Sequence, residues 1–465
     1  MTAKAAMPVR NSDLVSPLPH KGTAMCITDN AGRSSAASGT VSVLIGASLR
    51  RGDVDSENGR STRATATLPG RRTSTMATRT TTTRATSSGF GSSADQSDHA
   101  GFSLQDLVVA HLDCRKHKRN TEAARAFERN LAENLCSLYD DLEGRTYRPG
   151  RSICFVITWP KVREVWAAPY RDRVVHHLLY NRVAQRFHNS FVVDSCACIP
   201  GRGTMYAAER LEGQIRSITE NWKRPAHYLK CDIANFFVSI NKHILGDLLA
   251  KRIREPFWLW LAEAILYHDP RGDVLVNASA SELALVPPHK SLFNQPDHLG
   301  LPIGNLSSQF FANVLLDVLD QHAKHTLQAR HYIRYVDDFV LLDRSPQWLN
   351  YAKADIEEFL PARRGVRLNP RKTIIQSVDR GVDFVGQIVK PFRRTTRKRT
   401  RNQALRRIAE MPEESLFESL NSYFGLFRQA SHSHHDRTLL ANLARSRDFS
   451  VNGALTKVYR RGTNG

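Results

Sequence analysis

The run His331-Tyr-Ile-Arg-Tyr-Val-Asp-Asp-Phe-Val-Leu-Leu-Asp343 reads as two β-strands joined by a tight turn. Val, Ile, Tyr and Phe on either side favour extended backbone, and the polar tip breaks the apolar pattern where a hairpin would turn. Asp337 and Asp338 stand side by side at that tip. Two adjacent carboxylates in an otherwise apolar hairpin repel each other and call for a cation. A divalent ion answers that need, and Mg²⁺ held by carboxylates points to phosphoryl transfer.

A second run leads to the same chemistry. His227-Tyr-Leu-Lys-Cys-Asp-Ile-Ala-Asn-Phe-Phe-Val-Ser-Ile240 is apolar and β-leaning, and Asp232 interrupts it. A carboxylate in such a strand is costly unless it is paired or metal-bound. Asp232 together with the Asp pair of the hairpin would clamp two metal ions roughly 4 Å apart, the arrangement that activates an attacking hydroxyl and stabilises a leaving pyrophosphate.

Taken in order, these residues resemble the polymerase palm of reverse transcriptases, and of bacterial retroelement enzymes in particular. Asp232, with Phe237 five residues on, is similar to the first palm motif, and Gly300-Leu-Pro-Ile-Gly-Asn-Leu-Ser-Ser-Gln-Phe-Phe-Ala-Asn313 to the second. Tyr335-Val-Asp-Asp338 resembles the third, in the form typical of RNA-templated DNA synthesis. Asn369-Pro-Arg-Lys-Thr373 resembles the lysine motif that follows, and Phe384-Val-Gly386 the primer grip. Upstream, Pro160-Lys-Val-Arg-Glu164, Arg171-Asp-Arg-Val-Val-His176 and Ile199-Pro-Gly-Arg-Gly-Thr204 resemble finger motifs. The resemblance spans roughly residues 101 to 430. Within the family, the Ile-Gly-Asn-Leu-Ser-Ser-Gln form of the second motif is similar to diversity-generating retroelement enzymes and to related antiviral-defence enzymes, as are Val286-Pro-Pro-His-Lys-Ser-Leu-Phe293 and Ser422-Tyr-Phe-Gly-Leu-Phe427. Diversity-generating enzymes more often carry Gln-Thr where Leu306-Ser307 stands here, which leaves both subgroups open.

The resemblance implies an α+β, right-hand polymerase with fingers, an antiparallel-sheet palm and a helical thumb. It implies RNA-directed DNA synthesis by two-metal nucleotidyl transfer, with two Mg²⁺ ions for which Mn²⁺ substitutes. Asp232, Asp337 and Asp338 would be the catalytic, metal-holding carboxylates, and Ile233 would offer its backbone carbonyl. Lys161, Arg163 and Arg171 would meet the triphosphate, where charge-assisted contacts offset developing negative charge. Phe237 would be the steric gate that excludes a ribose 2′-hydroxyl. Ile303, Gly304, Ser308 and Gln309 would line the nascent base pair, and Lys372 would be the general acid for pyrophosphate. Arg202, between two glycines, would approach a template phosphate. The partners implied are an RNA template, a DNA or RNA primer and dNTPs, with an accessory RNA-binding protein or a partner reverse transcriptase as further candidates. Readings from other classes are an RNA polymerase, a nucleotide cyclase and a catalytically silent RNA-binding scaffold. Phe237 disfavours the first, the finger and thumb motifs the second, and the complete carboxylate set the third.

Composition agrees with a polyanionic partner. The 465-residue chain carries a formal charge of +21 and has a pI near 10.0, which favours nucleic acid. No run of about 18 apolar residues suggests a membrane span. The seven cysteines, at 26, 114, 136, 154, 196, 198 and 231, form no Cys-x-x-Cys pair. They read as reduced core thiols of a cytoplasmic protein. His432, His434 and His435 lack the partners of a metal site.

Along the chain, residues 1–100 read as a disordered basic Ser/Thr/Arg-rich tail, with too little apolar surface to offset chain entropy. Residues 101–225 read as N-terminal helices and fingers, 226–392 as palm, and 393–465 as a basic linker and helical thumb. Apolar spacing predicts two helices before Gly144, strands over 153–158 and 163–168, and a helix over 171–187. Ser307 and Ser308 are capping candidates for the helix of the second palm motif. The run from Arg393 to Arg407 holds eight basic residues and no acid, and is expected to track phosphates through Arg397, Lys398 and Arg399.

Overall fold

The computed structural model describes residues 101–116, 121–158 and 161–460. The expected basic tail over residues 1–100, Cys26 and Pro160 lie outside them. The chain divides into two compact units, Met1–Tyr147 and Arg148–Gly465.

Among the described residues of the first unit three helices stand where two were expected: α1 (Leu104–Arg115), α2 (Glu122–Arg129) and α3 (Leu131–Glu143). Ser103 starts α1 with a capping box: its side chain accepts from the Asp106 amide, and the Asp106 carboxylate accepts from the Ser103 amide. The second apolar run splits at Asn130, whose φ of −122° and ψ of 45° leave the helical region. Asn competes with helix through its own side-chain hydrogen bonds. Asn134 then satisfies a freed carbonyl, donating from Nδ2 to Phe127 O at 2.9 Å.

The second unit begins with strands β1 (Ser152–Ile157) and β2 (Arg163–Ala167), then α4 (Tyr170–His188), α5 (Thr204–Ile218) and β3 (His227–Asp232). A short turn of helix α6 (Phe236–Ser239), α7 (Lys242–Ala250), α8 (Pro256–Tyr267), β4 (Val274–Val276) and α9 (Ala280–Ala284) lead to α10 (Leu306–Gln321). The expected hairpin forms as β5 (His331–Tyr335) and β6 (Asp338–Asp343), followed by α11 (Pro346–Arg364) and β7 (Ile374–Ser377). Strands β8 (Val382–Phe384), β9 (Gln387–Lys390) and β10 (Arg393–Thr396) precede α12 (Lys398–Glu410), α13 (Glu413–Phe427), α14 (His434–Arg445), β11 (Phe449–Val451) and β12 (Val458–Arg460).

The central sheet runs β5-β6-β3-β7 and is antiparallel throughout. One face carries Tyr228, Ile333, Val340 and Leu342, which pack with Leu211 and Ile215 of α5 and with Val378 just beyond β7. Helix α11 packs on β3, β6 and β7 with Leu349, Ala352, Ile356 and Leu360 buried. Burial on both faces explains why Phe339-Val-Leu-Leu342 is apolar without alternation, since neighbouring side chains point to opposite sides and none meets water. A smaller sheet, β2-β1-β4, pairs β1 and β2 antiparallel and β1 and β4 parallel. The mixture of helices with an antiparallel central sheet is the α+β architecture expected from the sequence.

Two local expectations change. Helix α10 starts at Leu306 with Asn305 as its N-cap, so Ser307 and Ser308 are buried in its first turn. The Asn305 side chain instead accepts from the Ala168 amide at 3.1 Å, just beyond β2. The segment expected as a basic linker is ordered: residues 393–396 are a strand of the β10-β9-β8 sheet, and α12 begins at Lys398. Arg394 is buried there, donating to Glu212 at 2.8 Å, to Glu209 at 3.3 Å and to Gln387 at 3.2 Å. The last three helices share a core of Ile408, Leu416, Leu420, Phe424, Phe427 and Leu440, closed by the β11–β12 hairpin.

Cys114, Cys154, Cys196 and Cys231 are buried thiols, Cys136 is half-buried and Cys198 is exposed. Among the described residues no helix is long and apolar enough to cross a membrane.

Candidate active site

The β5–β6 turn consists of Val336 and Asp337 and is closed by the pair Tyr335–Asp338. Val336 has φ +57°, a region that a β-branched residue rarely enters. Arg334 explains how it is held. Its side chain is fully buried, and Nη1 donates to the Val336 carbonyl at 3.0 Å. The same guanidinium forks onto Asp320 of α10, Nε to Oδ1 at 2.7 Å and Nη2 to Oδ2 at 2.6 Å. It also reaches Asn313 Oδ1 at 3.1 Å and Ser195 Oγ at 2.9 Å. Tyr332 adds a 2.6 Å hydrogen bond to Asp320. The turn is therefore anchored to the helix of the second palm motif by one buried bidentate pair. Neither Arg334 nor Asp320 belongs to a recognisable sequence motif. The available signal was a charge in each of two apolar runs, Arg334 beside Ile333 and Asp320 beside Leu319.

Asp232 ends β3 directly opposite Asp338 of β6. The Ile233 amide donates to the Asp337 carbonyl at 3.2 Å, which ties the end of β3 to the turn. Antiparallel pairing thus brings all three carboxylates to one end of the sheet. Lys372 donates to both Asp232 oxygens, at 2.6 and 2.7 Å. Lys230, a further charge within an apolar run, lies 3.1 Å from Asp338 Oδ2.

The electrostatics of the site are governed first by burial. Burial, and then the neighbouring Asp232 charge, raise the Asp337 carboxyl above the usual range. Burial pushes Asp338 up to about 6, with Asp337 and Asp232 adding to the rise against the pull of Lys230. Asp338 Oδ1 is buried with no hydrogen-bond partner. Burial lowers Lys161, and Lys372 and Arg163 lower it further while Asp232 and Asp337 oppose them. Lys161, Arg163 and Lys372 therefore stand within the field of the carboxylates. Hard oxygen donors, raised carboxyls and an orphan oxygen suit a hard divalent cation. As they stand, no three His, Cys, Asp or Glu side chains among the described residues gather closely enough to hold an ion. Lys372 occupies Asp232, and Lys230 is the cation on Asp338.

Two further elements close on this end of the sheet. Phe237 is half-buried in α6, its ring 5.4 Å from that of buried Phe236. Its carbonyl accepts from the Leu301 amide at 2.8 Å, stitching α6 to the second palm motif. The Ile303 carbonyl accepts from the Trp166 amide at 2.7 Å, joining that motif to β2. Gly304 has φ +128°, and a Cβ there would sit 3.0 Å from both Trp166 O and Val165 Cγ1, so glycine is required for this approach.

The remaining candidates are placed as follows. Ser308 is buried in α10, and Gln309 is exposed, its Oε1 3.4 Å from Cys198 Sγ. Arg171 is half-buried in the first turn of α4. Arg202 turns back on its own loop and donates to Val192 O and Ser195 O, both at 2.9 Å. Arg397 pairs with Asp383, while Lys398 and Arg399 are exposed at the start of α12.

A buried antiparallel sheet with three carboxylates at one end and cations facing them is an arrangement chemically suited to metal-assisted phosphoryl transfer. Residues 160–389 match the family "Reverse transcriptase (RNA-dependent DNA polymerase)". The match covers just under half of the chain and takes in Asp232, Asp337 and Asp338. No curated protein matches the chain. Among solved structures it is similar to telomerase from Candida albicans in complex with a TWJ fragment of telomeric RNA, at 11% identity and a TM-score of 0.43, over 64% of this chain and 55% of that one. It is also similar to apo telomerase from Candida tropicalis truncated from its C-terminal domain, at 13% identity and a TM-score of 0.38, over 52% of this chain and 53% of that one. The chain spans about half the length of these solved relatives.

Proposed function

We propose that this protein copies an RNA template into cDNA from dNTPs and a DNA or RNA primer, as the polymerase of a bacterial diversity-generating retroelement. The observation that carries the polymerase reading is the meeting of Asp232, Asp337 and Asp338 at one sheet end, with Lys161, Arg163 and Lys372 in their field. Divalent ions, Mg²⁺ with Mn²⁺ as substitute, would supply activation of the primer hydroxyl and charge neutralisation at the leaving pyrophosphate. Asp232 and Asp337 are the stronger candidates for direct ligands: Lys372, the cation on Asp232, is half-exposed and can withdraw into solvent, whereas Lys230 beside Asp338 is largely buried. Lys161 and Arg163 orient the triphosphate, and Lys372 gives a proton to the leaving group once it releases Asp232. Phe237 restricts the sugar. A cytoplasmic location and an accessory RNA-binding protein or partner polymerase belong to the same reading.

The test is incorporation of dNTPs on an RNA template with Mg²⁺ or Mn²⁺. Asp337→Asn should cut turnover by orders of magnitude and leave RNA binding largely intact. Undiminished synthesis by that variant would remove the assignment.

The defence-type reading keeps its place through Leu306-Ser307, which departs from the commoner diversity-generating form. Ile303 separates the two. Many relatives carry Gln there, whose hydrogen bond holds the incoming nucleotide, whereas Ile offers only shape. Its loss should lower discrimination by on the order of 1 kcal/mol. Adenine-biased errors suppressed by Ile303→Gln, read by deep sequencing of cDNA, favour diversity generation. Uniformly low error in both proteins favours defence.

A further inference from the structure

Lys230 lies on β3 with its stem buried between two elements that the polymerase reading treats separately. Its Nζ stands 3.1 Å from Asp338 Oδ2 on the catalytic side. On the other side the same Nζ donates to the Asp383 carbonyl at 2.6 Å. Asp383 is the middle residue of β8, which pairs antiparallel with β9. Its side chain in turn takes Arg397, the N-cap of α12. The Lys230 side chain is only 15% exposed. An ammonium with so little water is committed to the protein acceptors it has, because each lost contact would leave a buried charge unsatisfied. One side chain thus fixes the distance between a catalytic carboxylate and the β8–β9 hairpin.

We propose that Lys230 is a positioning residue for polymerisation: it registers the β8–β9 hairpin against Asp338, so that the growing strand resting on the hairpin presents its 3′ end to the carboxylates. This inference rests on the polymerase reading above. Catalysis by positioning is sensitive to small displacements, and a misplacement of about 1 Å lowers rate by about a hundredfold. Lys230 is well suited to the task because it bonds to a main-chain carbonyl, which no side-chain rotation can withdraw. The flanking strands fix the backbone from which its stem starts: Lys230 pairs in register with Val340 of β6 and Ile374 of β7.

The test uses the full chain bound to an RNA template and a DNA primer that carries 2-aminopurine at its 3′ end. Lys230→Met should lower kcat by about tenfold or more, with the dNTP KM and primer–template Kd within about twofold of wild type. Fluorescence of the unextended 3′ base should rise as the terminus loosens. Lys230→Arg, which keeps a cation that can span both acceptors, should recover part of both signals. Lys230→Gln serves if Lys230→Met does not fold, as judged by circular dichroism. Wild-type kcat and fluorescence in Lys230→Met, or in Lys230→Gln where that variant is used, overturn the proposal, as does a kcat loss matched by an equal loss of primer–template binding. Absence of extension by the wild-type protein would overturn the polymerase reading instead, and the fluorescence comparison would still judge Lys230.

Discussion

Arg334 holds the carbonyl of Val336 at 3.0 Å from inside the protein. Val336 precedes Asp337, so the one residue of the β5–β6 turn with positive φ is fastened by the residue two positions before it. The left-handed conformation would otherwise cost of order 1–3 kcal/mol, and a hydrogen bond to a charged donor offsets much of that. Because the guanidinium also forks onto Asp320, the shape of the turn depends on where α10 sits.

Replacing Arg334 by Met should therefore damage stability first and activity with it. Asp320 would be left fully buried without its cation. Removing one partner of a buried pair costs about 3–5 kcal/mol. Arg334→Lys keeps the charge but loses the fork, and should fall between the two. The urea midpoint of each variant reads this, and a Met variant within ~1 kcal/mol of wild type would show that the pair does not hold the turn.

Asp338 predicts a pH signature. Its carboxyl titrates near 6 in the folded chain, against about 3.9 when unfolded. Between those values the folded state still holds a proton that the unfolded state has released, so this group's contribution to stability falls as pH rises from about 4 to about 6 and stays low above. Asp338→Asn does not titrate. Its melting temperature relative to wild type should climb across that window and level off near neutrality, a change of about 1–2 kcal/mol after allowance for partial exposure. Loss of the Lys230 contact shifts the baseline but not the slope. A pH-independent difference would place the titration elsewhere.

At Phe237 the expectation concerns the sugar. The ring is half-buried and fixed against Phe236, so Phe237→Ala should open room for a 2′-hydroxyl and raise rNTP use relative to dNTP. An unaltered dNTP/rNTP ratio would make the ring a packing residue only.

Gly304→Ala tests the joint between the second palm motif and β2. The backbone at φ +128° disfavours any Cβ, and the Trp166 carbonyl and Val165 methyl leave no room for one. Strain of order 1–3 kcal/mol should appear as a lower melting temperature, with a raised dNTP KM if the motif touches the nascent pair. Wild-type behaviour in both would detach Gly304 from the site.

Much of this was legible in sequence because the palm strands are local and strongly patterned. Asp232, Asp337 and Asp338 lie in apolar runs whose period and turn chemistry bring them together with few assumptions. Their cations were harder to read. Lys372 came into view through a motif, but its grip on Asp232 depends on a strand pairing across 140 residues. Lys230 and Arg334 gave only a charge within an apolar run, which says that a partner exists without naming it. The basic stretch from Arg393 misled for the same reason: composition cannot distinguish exposed Lys398 from buried Arg394, whose acids come from α5. Asn130 broke a helix that periodicity alone would have continued.

That distinction decides how the basic stretch should respond to salt. Single-stranded nucleic acid binding weakens with a log–log slope of about 0.7 per phosphate neutralised. Lys398 and Arg399 are exposed at the first turn of α12, whereas Arg397 is paired with Asp383 and Arg394 with Glu209 and Glu212. Lys398→Gln with Arg399→Gln should therefore flatten the slope by about 1.4 and weaken unrelated RNA sequences alike. Arg397→Gln should change the slope little, since that charge is already offset. Arg394→Gln should act through stability, because it strips two carboxylates of their buried cation. Filter binding of an unstructured RNA across a salt series, beside a thermal melt, separates the three cases. A slope unchanged by the double variant would make the start of α12 a solvated helix end with no part in template binding.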